Sequence, residues 1–162
     1  MKTHIFQAHM WLPLAIEPVF AFFGDVANLS KISPPSVRIQ TITPLPIEMR
    51  VGTIVEHRMS IRWFPIRWRS EITVWEPPVR FVDEQRSGPY RFWKHRHEFE
   101  VAEGGTWVRD HIEYRTHGWL FEPIVNRIFV APELRRLFAH RQKAIRDFLA
   151  PGTDATNDRI EC

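Results

Sequence analysis

Histidine, aspartate and tyrosine residues of the kinds that transfer protons occur close together in the second half of the chain. His95 and His97 are two positions apart, and Asp110 and Tyr114 follow in the next strand-like run. A histidine tuned by a carboxylate can act as a base near neutral pH, and a tyrosine hydroxyl can donate to a developing enolate oxygen. What these residues do depends on the elements that position them and on whether their side chains converge.

Most of the chain alternates apolar with polar residues, which predicts β-strands separated by turns rich in Gly and Pro. Consecutive strands joined by tight turns pair as an antiparallel meander. Pro18 fits the first turn of a short helix, and Asp25 can cap a second one. The predicted strands are 4–12, 37–43, 53–64, 66–75, 79–87, 90–101 and 106–116, and the predicted short helices are 17–23 and 26–32.

The last predicted element is helical. Residues 121–130 and 132–149 carry apolar side chains at helical spacing and must cover the concave face of the sheet. Pro132 either kinks one long helix or begins a second one. We assign one domain to residues 1–150 and expect the polar residues 151–162 to form a disordered tail. The apolar stripe comprises Ile124, Ile128, Leu134, Leu137, Phe138, Ile145 and Phe148.

Strand alternation divides the side chains of the meander into two faces. In 90–101, one face is charged, so we expect the other, with Trp93, His95, His97 and Phe99, to point toward the helix. The same reasoning directs a further set inward: Trp68, Ser70, Ile72, Val74, Phe81, Asp83, Gln85, Val108, Asp110, Ile112 and Tyr114. An unpartnered buried polar group costs about 1–3 kcal/mol, so the polar members must pair with each other, with water or with a bound molecule.

Three interpretations of this polar group remain open. The residues form a hydrogen-bonded network that stiffens the sheet. Alternatively, the network lines a cavity and orients the polar end of an apolar ligand, with Trp68, Phe81 and Trp93 as apolar walls. In the third interpretation, His95 and His97 with Asp110 bind a metal. We assign no metal and no cofactor, because no fourth ligand is evident.

The composition excludes several classes of protein. The chain has 162 residues with 44% hydrophobic and 25% charged residues, which is typical of a globular domain. Its formal charge of +3 comes mainly from Arg residues that alternate along strands, which favours a solvated face over nucleic-acid binding. A single cysteine, Cys162, and no signal peptide or membrane span predict a cytoplasmic protein without stable membrane anchoring. No G-x-S-x-G motif or phosphate-binding Gly-rich loop occurs.

The order of strand, two short helices, meander and closing helix resembles the helix-grip fold of the START/pollen-allergen-like superfamily (SRPBCC). Residues 20–29, FAFFGDVANL, are similar to its opening two-helix segment. Residues 88–99, GPYRFWKHRHEF, resemble the G-P-x-x-x-W-x-H-x-H-x-F strand of a polyketide cyclase/dehydrase-like bacterial branch, and Gly105-Thr106, Asp110, Tyr114 and residues 137–141 also match. The resemblance covers about residues 6–149 and implies an α+β fold with about seven antiparallel strands.

This scaffold serves transporters, receptors, chaperones and enzymes, so the resemblance leaves three functional hypotheses. The first is binding or transport of a lipid, polyketide or isoprenoid-like molecule in an internal cavity. The second is a non-metal cyclase or dehydratase, with His95, His97, Asp110 and Tyr114 as catalytic candidates. The third is a protein-interaction module with a filled core, and a homodimer is left open. The predicted ligand-binding residues are Trp68, Ile72, Phe81, Asp83, Gln85, Trp93, His95, His97, Phe99, Asp110, Ile112, Tyr114 and Phe138.

Two other features carry expectations. For Arg141, in the closing helix, we favour a solvent-facing or structural role over one in which it reaches a carboxylate on the sheet. The aromatic segments Trp63-Phe64-Pro65 and Trp119-Leu120-Phe121 either gate the mouth of a cavity, touch a membrane, or pack against the helix.

Overall fold

The computed structural model of the chain describes residues 2–61, 64–117, 122–154 and 157–162. The helical elements are α1 (Ile16–Gly24), a 3-10 turn (Val26–Asn28), α2 (Glu122–Val125), a π-helical turn (Asn126–Val130) and α3 (Ala131–Leu149). The strands are β1 (His4–Leu12), β2 (Val37–Thr41), β3 (Ile54–Ile61), β4 (Phe64–Glu76), β5 (Arg80–Ser87), β6 (Phe92–Ala102), β7 (Gly105–Arg115) and β8 (Arg159–Glu161).

All eight described strands form one antiparallel sheet in the order β2-β3-β4-β5-β6-β7-β1-β8. The predicted meander from β2 to β7 and the α+β helix-grip fold are therefore confirmed, with one more strand than expected. The register places His97 opposite Asp110 and Asp83 opposite His95. Directly opposed residues share a face of the sheet, so these polar side chains meet.

Glycines set the sharp turn between β6 and β7. Gly104 has a φ of 72°, a conformation that L side chains rarely adopt. A Cβ on Gly105 would lie 2.1 Å from the carbonyl oxygen of Leu12, so only glycine allows β7 to approach the end of β1 this closely. The turn thus brings Asp110 into line with the histidines of β6.

One predicted face assignment is wrong because β4 contains a bulge. The register shifts between Ile72 and Val74, which leaves Thr73 as the extra residue. Beyond the bulge, Trp75 lies opposite Phe81, with ring centroids 5.6 Å apart, and Val74 lies on the opposite face with Val82. The inward direction predicted for Val74 is therefore incorrect, and Trp75 takes that place in the core.

The closing helix buries only part of the predicted apolar stripe. Leu134, Phe138 and Ile145 are buried as expected, but Ile124, Ile128 and Phe148 are 54%, 58% and 57% exposed. The polar residues Gln142 and Arg146 complete the buried face instead. The amide of Gln142 donates to the His9 carbonyl at 2.9 Å, and the guanidinium of Arg146 donates to the Trp11 carbonyl at 3.2 Å. The apolar pattern failed because these two polar side chains satisfy the backbone of β1.

Pro132 lies in the first turn of α3, directly after the π-helical turn. Proline has no N–H and crowds the carbonyl four residues before it, so a wider turn at this point accommodates the missing hydrogen bond. Helical structure runs through the proline, and it neither ends there nor restarts after a loop.

The tail is not wholly disordered, contrary to the prediction. Residues Arg159–Glu161 form β8 and pair with β1. Asp158 accepts a hydrogen bond of 2.6 Å from the buried Arg146 guanidinium, and Ile160 packs against the core. The free edge of β1 offers unpaired backbone groups, which a short polar segment can satisfy when a buried ion pair holds it in place.

Candidate ligand-binding cavity

A cavity of about 220 Å³ lies between the concave face of the sheet and α3. Its walls come mainly from β3 to β6, α3 and the segment from α1 to β2, and they are largely apolar. An engineered cavity of about 150 Å³ is large enough to hold benzene. The space therefore suits an apolar group of one or two rings, or a short alkyl chain.

Most of the predicted ligand-binding residues line this cavity. Trp68 and Trp93 form an aromatic wall in which the two rings are perpendicular with centroids 5.2 Å apart. Trp93, His95 and Phe81 are buried beneath the helix, as strand alternation required. The predicted residues at the cavity are Trp68, Ile72, Phe81, Asp83, Trp93, His95, His97, Asp110 and Phe138.

Four predicted residues lie elsewhere. Phe99 and Ile112 belong to the hydrophobic core. Gln85 closes the turn between β5 and β6: its amide donates to the Tyr90 carbonyl at 2.7 Å and its oxygen accepts from the Tyr90 N–H at 3.3 Å. Tyr114, a catalytic candidate, is also buried in the core and does not line the cavity.

The Tyr114 hydroxyl has a structural partner. It donates to the side-chain oxygen of Asn126 at 2.7 Å, and the Asn126 amide lies 3.0 Å from Nδ1 of His4. This chain of contacts ties the π-helical turn to β7 and β1. The role of enolate donor predicted for Tyr114 therefore has no geometric support.

Two histidines and two aspartates form a compact cluster in the cavity wall. Oδ1 of Asp110 lies 2.9 Å from Nε2 of His95 and 2.8 Å from Nδ1 of His97, and only the contact with His95 is aligned as a hydrogen bond. Oδ2 of Asp83 lies 3.5 Å from Nε2 of His97 and 3.7 Å from Nδ1 of His95. The two imidazoles stack with their centroids 3.8 Å apart.

The environment moves the pKa values of the two histidines in opposite directions. Burial lowers the pKa of His95, and the charge of His97 lowers it further against the opposing effect of Asp110. Burial alone would also lower the pKa of His97, but its close contacts with the charged carboxylates of Asp110 and Asp83 prevail and raise it to about 9. At pH 7, His95 is therefore neutral and His97 is an imidazolium.

The aspartates are ionised under the same conditions. Burial would raise the pKa of Asp110, but the hydrogen bond from His95 and the close contact with His97 hold it well below its usual value. For Asp83, burial again acts upward, and the interaction with His97 outweighs it, so its pKa is lowered. Divergent pKa values in neighbouring groups at a cavity are typical of functional sites, although structural ion pairs produce them too.

Asp83, His95 and His97 are the described residues that could hold a metal ion, because one ligand atom of each lies within 4.8 Å of the others. The metal hypothesis from the sequence named Asp110 as the carboxylate ligand. In the structure, Asp110 contacts the opposite nitrogens of the rings, which is the position of an outer partner that orients ligating histidines.

Sequence reasoning missed two basic residues at the cavity. His57 on β3 is buried and lies 3.3 Å from the Thr41 hydroxyl through Nδ1, and burial lowers its pKa. Alternation along β3 would have found it, because Val55 and Met59 also line the cavity. Arg141, for which we expected a solvent-facing or structural role, lines the cavity as well, so it does not face bulk solvent, and the structural role stays a prediction. The helical spacing of Arg141 from Phe138 and Ile145 indicated that it shares their face of α3. Its charge pointed to an exposed position instead.

The aromatic segments remain largely unassigned. Trp63 and the Trp119-Leu120-Phe121 segment lie outside the described residues. Phe64 and Pro65, the described members, are exposed at the start of β4, and Phe64, at 72% exposed, does not pack against the helix. None of the described helices has the length and apolar character needed to cross a membrane.

A curved antiparallel sheet, a long C-terminal helix and a largely apolar cavity between them define a domain of the START/pollen-allergen-like superfamily. A family model described as polyketide cyclase/dehydrase and lipid transport matches residues 12–137. Because this match covers most of the chain, the protein belongs to that family. A search of curated proteins gave no significant match.

Solved structures with low sequence identity share the fold. A protein from Thermus thermophilus superposes with a TM-score of 0.71 at 15% identity, covering 93% of this chain and 100% of its own. A Chromobacterium violaceum protein gives 0.69 at 16% identity, with 92% and 97% coverage. Major latex-like protein 151 from Panax ginseng gives 0.66 at 12% identity, with 92% and 99% coverage. At these identities the likeness extends to the fold alone.

Proposed function

We propose that the protein binds or carries a hydrophobic or amphipathic small molecule, of the lipid, polyketide or isoprenoid type, in its internal cavity. The observation that carries this proposal is the space of about 220 Å³ enclosed by apolar and aromatic side chains with a polar cluster on one wall. Ligand sites in proteins combine these two features, because apolar walls supply affinity and a few polar groups fix orientation. The family description, which includes lipid transport, supports the same function.

The proposal is tested with a neutral ligand of the right size. Isothermal titration calorimetry with 2-naphthylmethanol should show saturable binding to the purified protein. Ser70 is buried and lines the cavity, so Ser70→Phe should fill the space and weaken binding at least tenfold. Ser60 follows the cavity-lining Met59 on β3 and so points to the other face, which makes Ser60→Phe the matched control with unchanged affinity.

Native mass spectrometry of protein purified without detergent is the complementary measurement. Co-purification of an apolar mass that is lost in Ser70→Phe and kept in Ser60→Phe would support the proposal. Equal binding of 2-naphthylmethanol by both variants would contradict it, since the site would then lie outside the cavity. The single cysteine supports a reducing compartment, the cytoplasm, as the place of this function.

A second candidate, a cyclase or dehydratase, is favoured by the histidine pair. His95 is the neutral imidazole that a general base requires, and the protonated His97 beside it has the form of a general acid. Either His95→Gln or His97→Gln should then spare affinity for a poly-β-ketone substrate and abolish the loss of water seen by mass spectrometry. The third hypothesis, an interaction module, required a filled core, and the cavity argues against it.

A further inference from the structure

Arg141 is a partly buried cation at the cavity that has no anionic partner among the described residues. It lies on the inner face of α3 between Phe138 and Ile145 and contributes to the cavity wall. Its Nε is buried and donates to no acceptor within the described residues. Nor does the guanidinium pair with any described carboxylate within the 4.0 Å that defines an ion pair.

The nearby carboxylates are already engaged by other groups. Asp110 contacts both imidazoles at 2.8 and 2.9 Å, and Asp83 faces the same rings at 3.5 and 3.7 Å. Burial lowers the pKa of Arg141, and the charges of Asp110 and Asp83 oppose that effect from a distance without outweighing it. The Phe138 ring, with its centroid 5.3 Å from Cζ, holds the guanidinium in place by a cation–π contact.

A guanidinium whose Nε is buried without an acceptor carries a desolvation cost, and a bound anion would remove that cost. The planar fork of Arg matches the two oxygens of a carboxylate, whereas one arginine cannot satisfy a doubly charged phosphate. The cavity lining already carries four carboxylates, those of Asp25, Asp83, Asp110 and Glu133, against the positive charges of His97 and Arg141. It therefore tolerates one additional negative charge better than two.

We propose that Arg141 binds the carboxylate of an apolar monocarboxylic acid whose hydrocarbon part occupies the cavity. This inference rests on the proposed ligand-binding function and specifies its ligand class. The acid's apolar part can be aromatic or aliphatic, because Trp68, Trp93 and Phe138 accept either. The alcohol of the same skeleton fits the same space but offers Arg141 no charge.

The experiment compares acids with their alcohols on the full chain by isothermal titration calorimetry. The aromatic pair is 2-naphthoate and 2-naphthylmethanol, and the aliphatic pair is octanoate and octanol. Wild-type protein should bind at least one acid about tenfold or more tightly than its alcohol, as expected for a hydrogen-bonded ion pair. The pair with the larger difference in affinity between acid and alcohol indicates whether the apolar part of the carboxylic acid is aromatic or aliphatic.

Substitutions at Arg141 test whether this residue causes the preference for the acid over its alcohol. Arg141→Met should abolish it while affinity for the alcohol changes less than about threefold, and Arg141→Lys should retain part of it, because charge remains without the fork. Arg135→Met, on the exposed side of α3, is the matched control and should keep the full preference. Removing an unpaired buried charge should leave the melting temperature of Arg141→Met no lower than that of the wild type.

Different results would refute the role of Arg141 and the proposed ligand-binding function. If the alcohols bind and the acids bind no better, or if Arg141→Met keeps the preference, the role of Arg141 is refuted and the cavity remains a ligand site. If neither pair binds to wild-type protein, the proposed function fails and this inference fails with it.

Discussion

Replacing His97 by Gln should remove a dependence of stability on pH that the wild-type protein shows between about pH 6.5 and 9. Asp110 and Asp83 overcome the effect of burial and raise the pKa of His97 from its usual 6.5 to about 9 in the folded state. A group whose pKa is higher in the folded state than in the unfolded state contributes its full stabilisation at pH values below the unfolded-state pKa. That stabilisation is lost as the pH rises through the folded pKa.

The size of the effect follows from the shift. One pKa unit corresponds to about 1.4 kcal/mol, so the rise for His97 is equivalent to about 3 kcal/mol of unfolding free energy. The side chain is only 13% exposed, so solvent screens the interaction little. A loss of this order is a large fraction of the roughly 5–15 kcal/mol by which a domain of this kind is stable.

Urea unfolding at pH 6, 7, 8 and 9 measures the effect through the free energy of unfolding. The wild type should lose about 3 kcal/mol across this range, and His97→Gln should lose much less. His9→Gln is the control, because His9 is on β1 and does not line the cavity. Parallel curves for the wild type and His97→Gln would refute the assignment of His97 as a buried imidazolium.

Three further substitutions test the structural assignments by thermal or urea unfolding. Tyr114→Phe should cost about 1 kcal/mol, because it removes the hydrogen bond to the part-buried Asn126 amide oxygen, and an unchanged stability would contradict that contact. Gly105→Ala should destabilise strongly, because its Cβ would meet the Leu12 carbonyl at 2.1 Å, whereas Gly52→Ala, with a φ of 88° and open space around it, should cost only about 1 kcal/mol. Arg146→Met should cost about 3–5 kcal/mol and expose the tail to proteases, because it leaves a buried carboxylate unpaired; an intact tail would count against this anchor.

Strand alternation predicted most of the sheet and most of the cavity wall. It placed Trp93, His95 and His97 on the concave face because their strand is regular and its other face is charged. It failed at Val74, where a bulge that no local motif announces reverses the faces. The alternation rule is reliable only as far as the register is unbroken.

The C-terminal helical region was harder to predict because some of its apolar side chains are exposed and some of its polar side chains are buried. Ile124 and Ile128 are apolar and exposed, whereas Gln142 and Arg146 are polar and buried. The partners of the buried polar residues are the backbone of β1, which is distant in sequence, and Asp158 in the C-terminal tail. The solvent-facing alternative for Arg141 failed for the same reason, since an arginine on an inner helix face is typical of an exposed residue until its surroundings are known.

The position of α3 explains why space remains in the core. The helix packs closest to β1 and β8, at one end of the sheet, and polar hydrogen bonds fix it there. Strands β3 to β5 curve past it on the other side, and side chains such as Ile72 and Trp68 close the cavity. A helix attached through an apolar stripe would gain stability by moving toward the sheet and filling this space. The directional hydrogen bonds of Gln142 and Arg146 oppose that movement, so the same polar residues that defeated the sequence pattern keep the cavity open.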